Sequence, residues 1–448
     1  MKYLMSIRKV LFPLLGLLGI FVVIVLTMNM SVFDEELNTE IVDIMQPRPM
    51  PAENENAYFA IWGLAASSDK EMISAGIELI NRYFMNRDKN GRDEIFPEDY
   101  DEVFGGQDFD KEWLDTYSRC SSRTEYGCLL KMSAQLESTP ITSERLEVML
   151  SRYTQIVQMT KFQQINHTSI ATPLPAYSAV LRLNQIKLAQ LYNLELYELF
   201  IEQVEVDLEF WKMVLVQGNT LIDKMIAVAS IWTDIQYLSE FIRTKSPSIE
   251  LQEKVVQLLE PLTREELDIS DAFITEATMM YRYVSNITQE EMETVFGLKL
   301  LPINLLLQPN TTSNSHYENF LKPIVRLSKQ SKSQFYQAIE LDLIDLNKAF
   351  DVNFNLSNLY NLGGKLLLNF GIWSPTDYIA RVHDLNAMTS LVRLQLQLKD
   401  VPEHSVESAI NASTIKSPYT NKAMNFDKEN NWLGFDCLGK SAHCKIKL

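Results

Sequence analysis

The chain has 448 residues, with 41 lysines and arginines against 58 aspartates and glutamates, a formal net charge of −17 and a pI near 4.9. Nucleic acid and anionic lipid headgroups require clustered positive potential, so this balance excludes both as ligands of the chain as a whole and reads as solubility. The length allows one large core or two domains.

In chain order, Lys2, Arg8 and Lys9 precede a run from Val10 to Met28 without a single charge. At about 1.5 Å rise per residue such a helix is roughly 28 Å long, close to the hydrocarbon thickness of a bilayer. The run is longer than a signal-peptide apolar region, and its exit through Leu26, Thr27, Met28, Asn29, Met30 and Ser31 shows no small-residue cleavage pattern. These features predict a retained transmembrane anchor over residues 10–30. Basic residues flank only its N-terminal side, and Asp34, Glu35 and Glu36 follow the exit, so residues 1–9 are expected in the cytoplasm and everything downstream outside it. Residues 31–55, with Pro47, Pro49 and Pro51, read as an extended spacer. A mainly helical body is expected over 56–448, with a subdivision near 300–320 left open.

Asn86, Asp88, Asn90 and Gly91 stand at positions 1, 3, 5 and 6 of a calcium-binding EF-hand loop, where alternate oxygens wrap a hard cation. Position 12, which should be a bidentate Glu, is Pro97; Glu98 comes one residue late and Asp93 occupies an apolar position. Asn86, Asp88 and Asn90 are therefore a weak metal candidate beside the plainer reading of a polar turn closing the helix of Ile77, Leu79, Ile80 and Phe84. No cofactor is expected. The four cysteines form two local pairs, Cys120 with Cys128 and Cys437 with Cys444, which in an exported chain predict two disulfides. Neither pair has zinc-site spacing, and only His443 lies near.

Apolar stripes stepping by three and four predict helices over Ala176 to Tyr192, from Leu196 through Phe200, Val204, Leu208 and Trp211 to Leu215, and from Leu221 through Val228 and Trp232 to Leu238. Trp211 and Trp232 sit on those stripes and read as core. Short connectors make the three helices antiparallel neighbours. Further helices are expected over Thr263 to Phe296 and Asp377 to Lys399, with short strands at Leu366 to Phe370 and Trp432 to Phe435 and a loop at Gly363 and Gly364. The fold class that follows is mainly α: the N-terminal anchor, then an irregular helical array, with solenoid-like stacking of hairpins as one form of it, and minor β near the C-terminus.

The segment Asp207, Leu208, Glu209, Phe210, Trp211, followed by Leu221, Ile222, Asp223, Lys224, Met225, Ile226 and Ala227, resembles a group of uncharacterised, membrane-anchored proteobacterial envelope proteins. Asn56, Ala57 and Tyr58 with Gly63 and Leu64, the stretch Tyr378 to Leu385, and the tail Ser417, Pro418, Tyr419, Thr420, Asn421 and Lys422 are similar to that group as well. Where the group tends to have glycine in the tail, this chain has Asn421, which tolerates the left-handed backbone of a turn. The resemblance implies a bacterial inner-membrane anchor facing the periplasm and carries no activity with it.

Catalytic signatures are missing from the sequence. His383 and Asp384 are adjacent on an expected helix, about 100° apart, so they do not face each other, and His383 reads as a helix-face histidine with a structural hydrogen bond. His167, His316, His404 and His443 show no H-E-x-x-H spacing, Gly363, Gly364 and Lys365 lack the rest of a P-loop, and there is no G-x-S-x-G elbow. The acid pairs Glu265 with Glu266 and Glu290 with Glu291 fall on faces expected to be solvated. The expectation is a binding or scaffold module held by inner-membrane lipid around residues 10–30 and engaging an envelope protein or component. The alternative is a periplasmic hydrolase or lyase using an acid on a helix. A lumenal, glycosylated type II protein is a third reading, with sequons at Asn166, Asn286, Asn310, Asn355 and Asn411.

Overall fold

The computed structural model describes residues 2–46, 51–90, 117, 120–165, 172–245, 247–288, 306–340, 359–370, 375–439 and 443–448. The helices, in chain order, are α1 (Lys2–Met28), α2 (Thr39–Ile44), α3 (Ala57–Trp62), α4 (Met72–Asn90), α5 (Cys128–Ser138), α6 (Glu144–Ile156), α7 (Tyr177–Asn193), α8 (Tyr197–Gln217) and α9 (Leu221–Thr244). They continue with α10 (Ile249–Leu258), α11 (Arg264–Leu267), α12 (Ser270–Asn286), α13 (Pro309–His316), α14 (Lys322–Ser328), α15 (Lys332–Glu340), α16 (Leu362–Phe370), α17 (Pro375–Leu398) and α18 (Val406–Ala412). Strands β1 (Asn425–Asp427), β2 (Trp432–Gly434) and β3 (Lys445–Lys447) form an antiparallel sheet in that order, with Leu433 opposite both Phe426 and Ile446. The chain is thus mainly helical with a small sheet near the C-terminus.

Local chemistry explains the central hairpin. Gly218 ends α8, and Thr220 starts α9 with a capping box in which its hydroxyl accepts from the Asp223 amide while the Asp223 carboxylate accepts from the Thr220 amide. Trp211 and Trp232 are completely buried, as their stripes predict. A helix enclosed on all sides must be covered all round, and α9 packs against α5, α7, α8, α12, α17 and β3. In a solenoid each unit touches only its sequence neighbours. The covering of α9 by elements from most of the chain replaces that expectation with a globular array built on one central helix.

Several expectations change. Leu366 to Phe370 is helix, not strand: a short leucine-rich run is ambiguous by periodicity, and leucine is a strong helix former without a β-branch. Gly363 and Gly364 lie inside α16 rather than in a loop, and a Cβ on Gly364 would stand 1.9 Å from Thr312 Oγ1 and 2.4 Å from Asn361 Oδ1. Glycine there permits the close approach of α16 to α13. The helix expected over Thr263 to Phe296 is broken at Asp268 and Ile269 into α11 and α12; Phe296 lies outside the described residues. Between α13 and α14 the chain widens into a π turn at Tyr317–Leu321. Pro323 has no N–H to return to Asn319 and crowds that carbonyl, and the wider turn accommodates it.

The backbone of α1 is helical over 27 residues. Its side chains are described from Pro13 onward, and among the described residues no helix is long and apolar enough to cross a membrane. Residues 31–45, expected as free spacer, instead form a 3₁₀ turn at Ser31–Phe33 and the helix α2, whose Ile41 is wholly buried. Pro47 and Pro49 lie outside the described residues.

Candidate functional site

Among the described residues, buried or linked polar groups gather in the interior around α9, at the tail and at the root of α1. In the first, acidic side chains are sealed from water. Asp207 of α8 and Asp234 of α9 are both 0% exposed. Tyr153 of α6 donates its hydroxyl to Asp207, and Asn184 of α7 donates to Asp234 at 2.8 Å. Burial raises the Asp207 carboxyl to about 7, and burial together with the Asp207 charge raises Asp234 well above the usual carboxylate range. At neutral pH the pair therefore holds at least one proton, and two like charges in that medium are avoided.

The same helix carries Glu240, also 0% exposed, whose carboxylate accepts from the Leu129 and Leu130 amides at 3.3 and 3.2 Å. Those amides belong to the first turn of α5, where the orphan N–H groups and the positive dipole end favour an acid. Burial nevertheless lifts Glu240 to about 7. Lys224 points its ammonium at the Leu215 and Val216 carbonyls at the end of α8, and burial lowers it to about 8. These side chains fasten helix ends and core layers and leave no face open to a substrate.

Asp384 does a similar job at the tail. It accepts from Tyr419 Oη at 2.6 Å and from the Leu438 and Gly439 amides at 3.0 and 2.7 Å, inside the loop closed by Cys437 and Cys444. Both expected cysteine pairs are at disulfide distance and bonded. The Asp384 carboxylate and the sulfurs of Cys437 and Cys444 lie within 4.8 Å of one another, but sulfurs joined to each other offer no thiolate to a metal. His383 is 3% exposed and faces the Phe335 ring at 4.9 Å, away from Asp384. Among the described residues it does not make the expected structural hydrogen bond: both ring nitrogens are buried with no partner there, and burial lowers its pKa to about 4. Asn421 has the left-handed backbone expected of it, φ 55°.

The calcium candidates Asn86, Asp88 and Asn90 lie in the helical backbone of α4, which runs on through Asn90. The rest of that motif, Gly91 to Glu98, lies outside the described residues, as do His167, Glu290 and Glu291. Glu266 serves as the capping-box acid of α11. His316 is enclosed between Tyr281 and Phe320, and its Nδ1 lies 3.1 Å from Tyr281 Oη.

The root of α1 is a polar clasp. Asn29, 3% exposed, donates through Nδ2 to the Val25 and Leu359 carbonyls, both at 2.8 Å, and accepts the Asn361 amide at 2.7 Å. Gln308 donates to the Met28 carbonyl at 3.1 Å, and Asn361 Oδ1 accepts the Gln308 amide at 2.9 Å. Next along the chain, Asp34 accepts the Asn310 and Thr311 amides at 3.0 and 2.9 Å, capping α13 from 276 residues away. Asn38 N donates to Asn314 Oδ1 at 2.9 Å, and Glu40 accepts from Tyr317 and pairs with Lys322 at 3.0 Å. Neither Asn29 nor Asp34 carries a sequence signal for these roles; short polar residues just past an apolar run are the only hint. No protein family, no curated protein and no solved structure matches this chain.

Proposed function

We propose that the chain is a single-pass, membrane-anchored protein whose exported helical body is held at the membrane surface and binds an envelope component. The observation that carries this reading is the bare apolar surface of α1. From Leu14 to Leu26 its large hydrophobic side chains, Val25 apart, are between 36% and 65% exposed, a patch that the body leaves uncovered. The uncharged run from Val10 to Met28, helical in backbone throughout, provides a length of roughly 28 Å at about 1.5 Å per residue, close to the hydrocarbon thickness of a bilayer. The two disulfides agree with an oxidising compartment outside the cytoplasm.

A binding role is preferred to polymer cleavage because the strongly perturbed acids are enclosed. Asp207, Asp234, Glu240 and Asp384 are 0% exposed, and a polymer chain cannot reach them. On α4 an open groove of about 640 Å³ contains Glu78, but its ion pairs with Arg82 and Lys70 hold that carboxyl below the usual range, the wrong direction for a general acid. The test uses the full chain expressed in bacterial membranes. Retention in the membrane pellet after alkaline carbonate, with protease access to the body only from the outer side, is the expected result; release into the soluble fraction overturns the anchor. Incubation of the purified protein with cell-wall polymer should give co-sedimentation without release of fragments, and turnover would replace binding with catalysis.

A further inference from the structure

The clasp leaves an apolar groove of about 510 Å³ where α1 meets the body, lined by Val23, Ile24, Thr27 and Met28 on one wall and Phe33 and Tyr360 on the other. Its polar atoms are already engaged: Thr27 Oγ1 donates to the Val23 carbonyl at 2.7 Å, and Tyr360 Oη donates to the Phe33 carbonyl at 3.0 Å. A polar ligand would find nothing to bond, whereas an alkyl chain loses no hydrogen bond on entering. Asn29 and Gln308 fix the two walls relative to each other, so the groove is held open before anything binds.

We propose that this groove holds one acyl chain of a membrane phospholipid, tucked between the last two turns of α1 and the body. The proposal rests on the reading of α1 as a membrane span, which places acyl chains directly against one wall. Size selects the occupant. The groove lies within the roughly 300–1,000 Å³ of sites that hold one small ligand. Two turns of a partner helix about 10–12 Å across would need roughly 850–1,200 Å³. The acidic residues just beyond the groove, Asp34, Glu35 and Glu36, do not oppose this, because the contact is with the alkyl chain and not with an anionic headgroup.

The test reconstitutes the full chain in vesicles of phosphatidylethanolamine and phosphatidylglycerol doped with a phosphatidylcholine carrying a diazirine in one acyl chain. After photolysis, peptide mapping should find label on α1 and also on the peptides containing Phe33 and Tyr360. Ile24 is 51% exposed and lines one wall, so Ile24→Trp adds bulk that narrows the groove at little cost to the fold. It should weaken the Tyr360 label and leave the label around Leu17 unchanged. Label confined to α1, or an unaltered Tyr360 label in I24W, overturns the groove proposal alone. Extraction by alkaline carbonate with no label anywhere overturns the span and the groove together.

Discussion

Glu240 and Asp34 have the same task in opposite surroundings. Each is a carboxylate that caps the first turn of a helix far away in sequence, Glu240 for α5 and Asp34 for α13. Glu240 is sealed in the core, and burial lifts it to about 7 even though two amides point at it. Asp34 sits partly in water at the root of α1, where its neighbour Glu40 is held below the usual range by the Tyr317 hydroxyl and Lys322. Water access, rather than the hydrogen bonds alone, separates the two. A cap in the core is shielded from water and resists ionisation, and a cap at the rim keeps water as a competing partner and contributes less.

The contrast can be broken first by pH. Asp207, Asp234 and Glu240 all have folded pKa values raised above those of the unfolded chain. Their stabilising contribution is fully present below pH about 4 and, for Asp207 and Glu240, is lost as pH rises through about 7, while Asp234, raised well above the usual carboxylate range, acts in the same direction. Rim acids such as Glu78 and Glu125, held low by Arg82 and Lys131, act the other way and lose their contribution as pH falls below about 4.5. Urea unfolding of the full chain in detergent should therefore show a stability maximum near about pH 5, and Asp234→Asn should flatten the decline toward pH 8. A curve that keeps rising to pH 8 would contradict the neutral interior.

Second in size is Glu240→Ala, which strands the Leu129 and Leu130 amides in the core and should cost about 3 kcal/mol by the same unfolding measurement. Asn29→Ala should cost about 2 kcal/mol, felt locally as faster hydrogen exchange at Asn361 and Gln308 with little change at α9. Asp34→Ala, the rim counterpart of the Glu240 variant, should cost about 1 kcal/mol. If its cost matched that of Glu240→Ala, solvent would not be what distinguishes the two caps. The smallest effect belongs to Lys322→Ala: its pairs with Glu40 and Glu318 are solvent-exposed, so the loss should be the least of the series and vanish in high salt.

Much of the helical framework is legible in the residues. The stripes through Phe200, Val204, Leu208 and Trp211 and through Val228 and Trp232 are periodic enough to place α8 and α9, and Gly218 and Thr220 mark the turn between them. The cysteine pairs and the left-handed turn at Asn421 are local features and can be read locally. The leucine run of α16 is misread because a short apolar segment fits strand and helix equally, and its helical form is selected by packing on α13. The buried acids are not legible for a stronger reason. Asp207 and Glu240 are partnered by groups distant in sequence, Tyr153, brought by α6, and the first turn of α5. One signal was available: α9 mixes Asp223, Asp234, Gln236 and Glu240 among apolar residues on every face, leaving no clean polar side to put in water.

By itself the sequence determined what short-range physics can determine: an uncharged run at the N-terminus, the helical periods, the turn residues and the local cysteine pairs. Tertiary structure alone decided how the root of α1 is mounted and which carboxyls keep their protons. Both depend on desolvation and on hydrogen-bond partners more than a hundred residues away, such as Leu129 for Glu240 and Leu359 for Asn29.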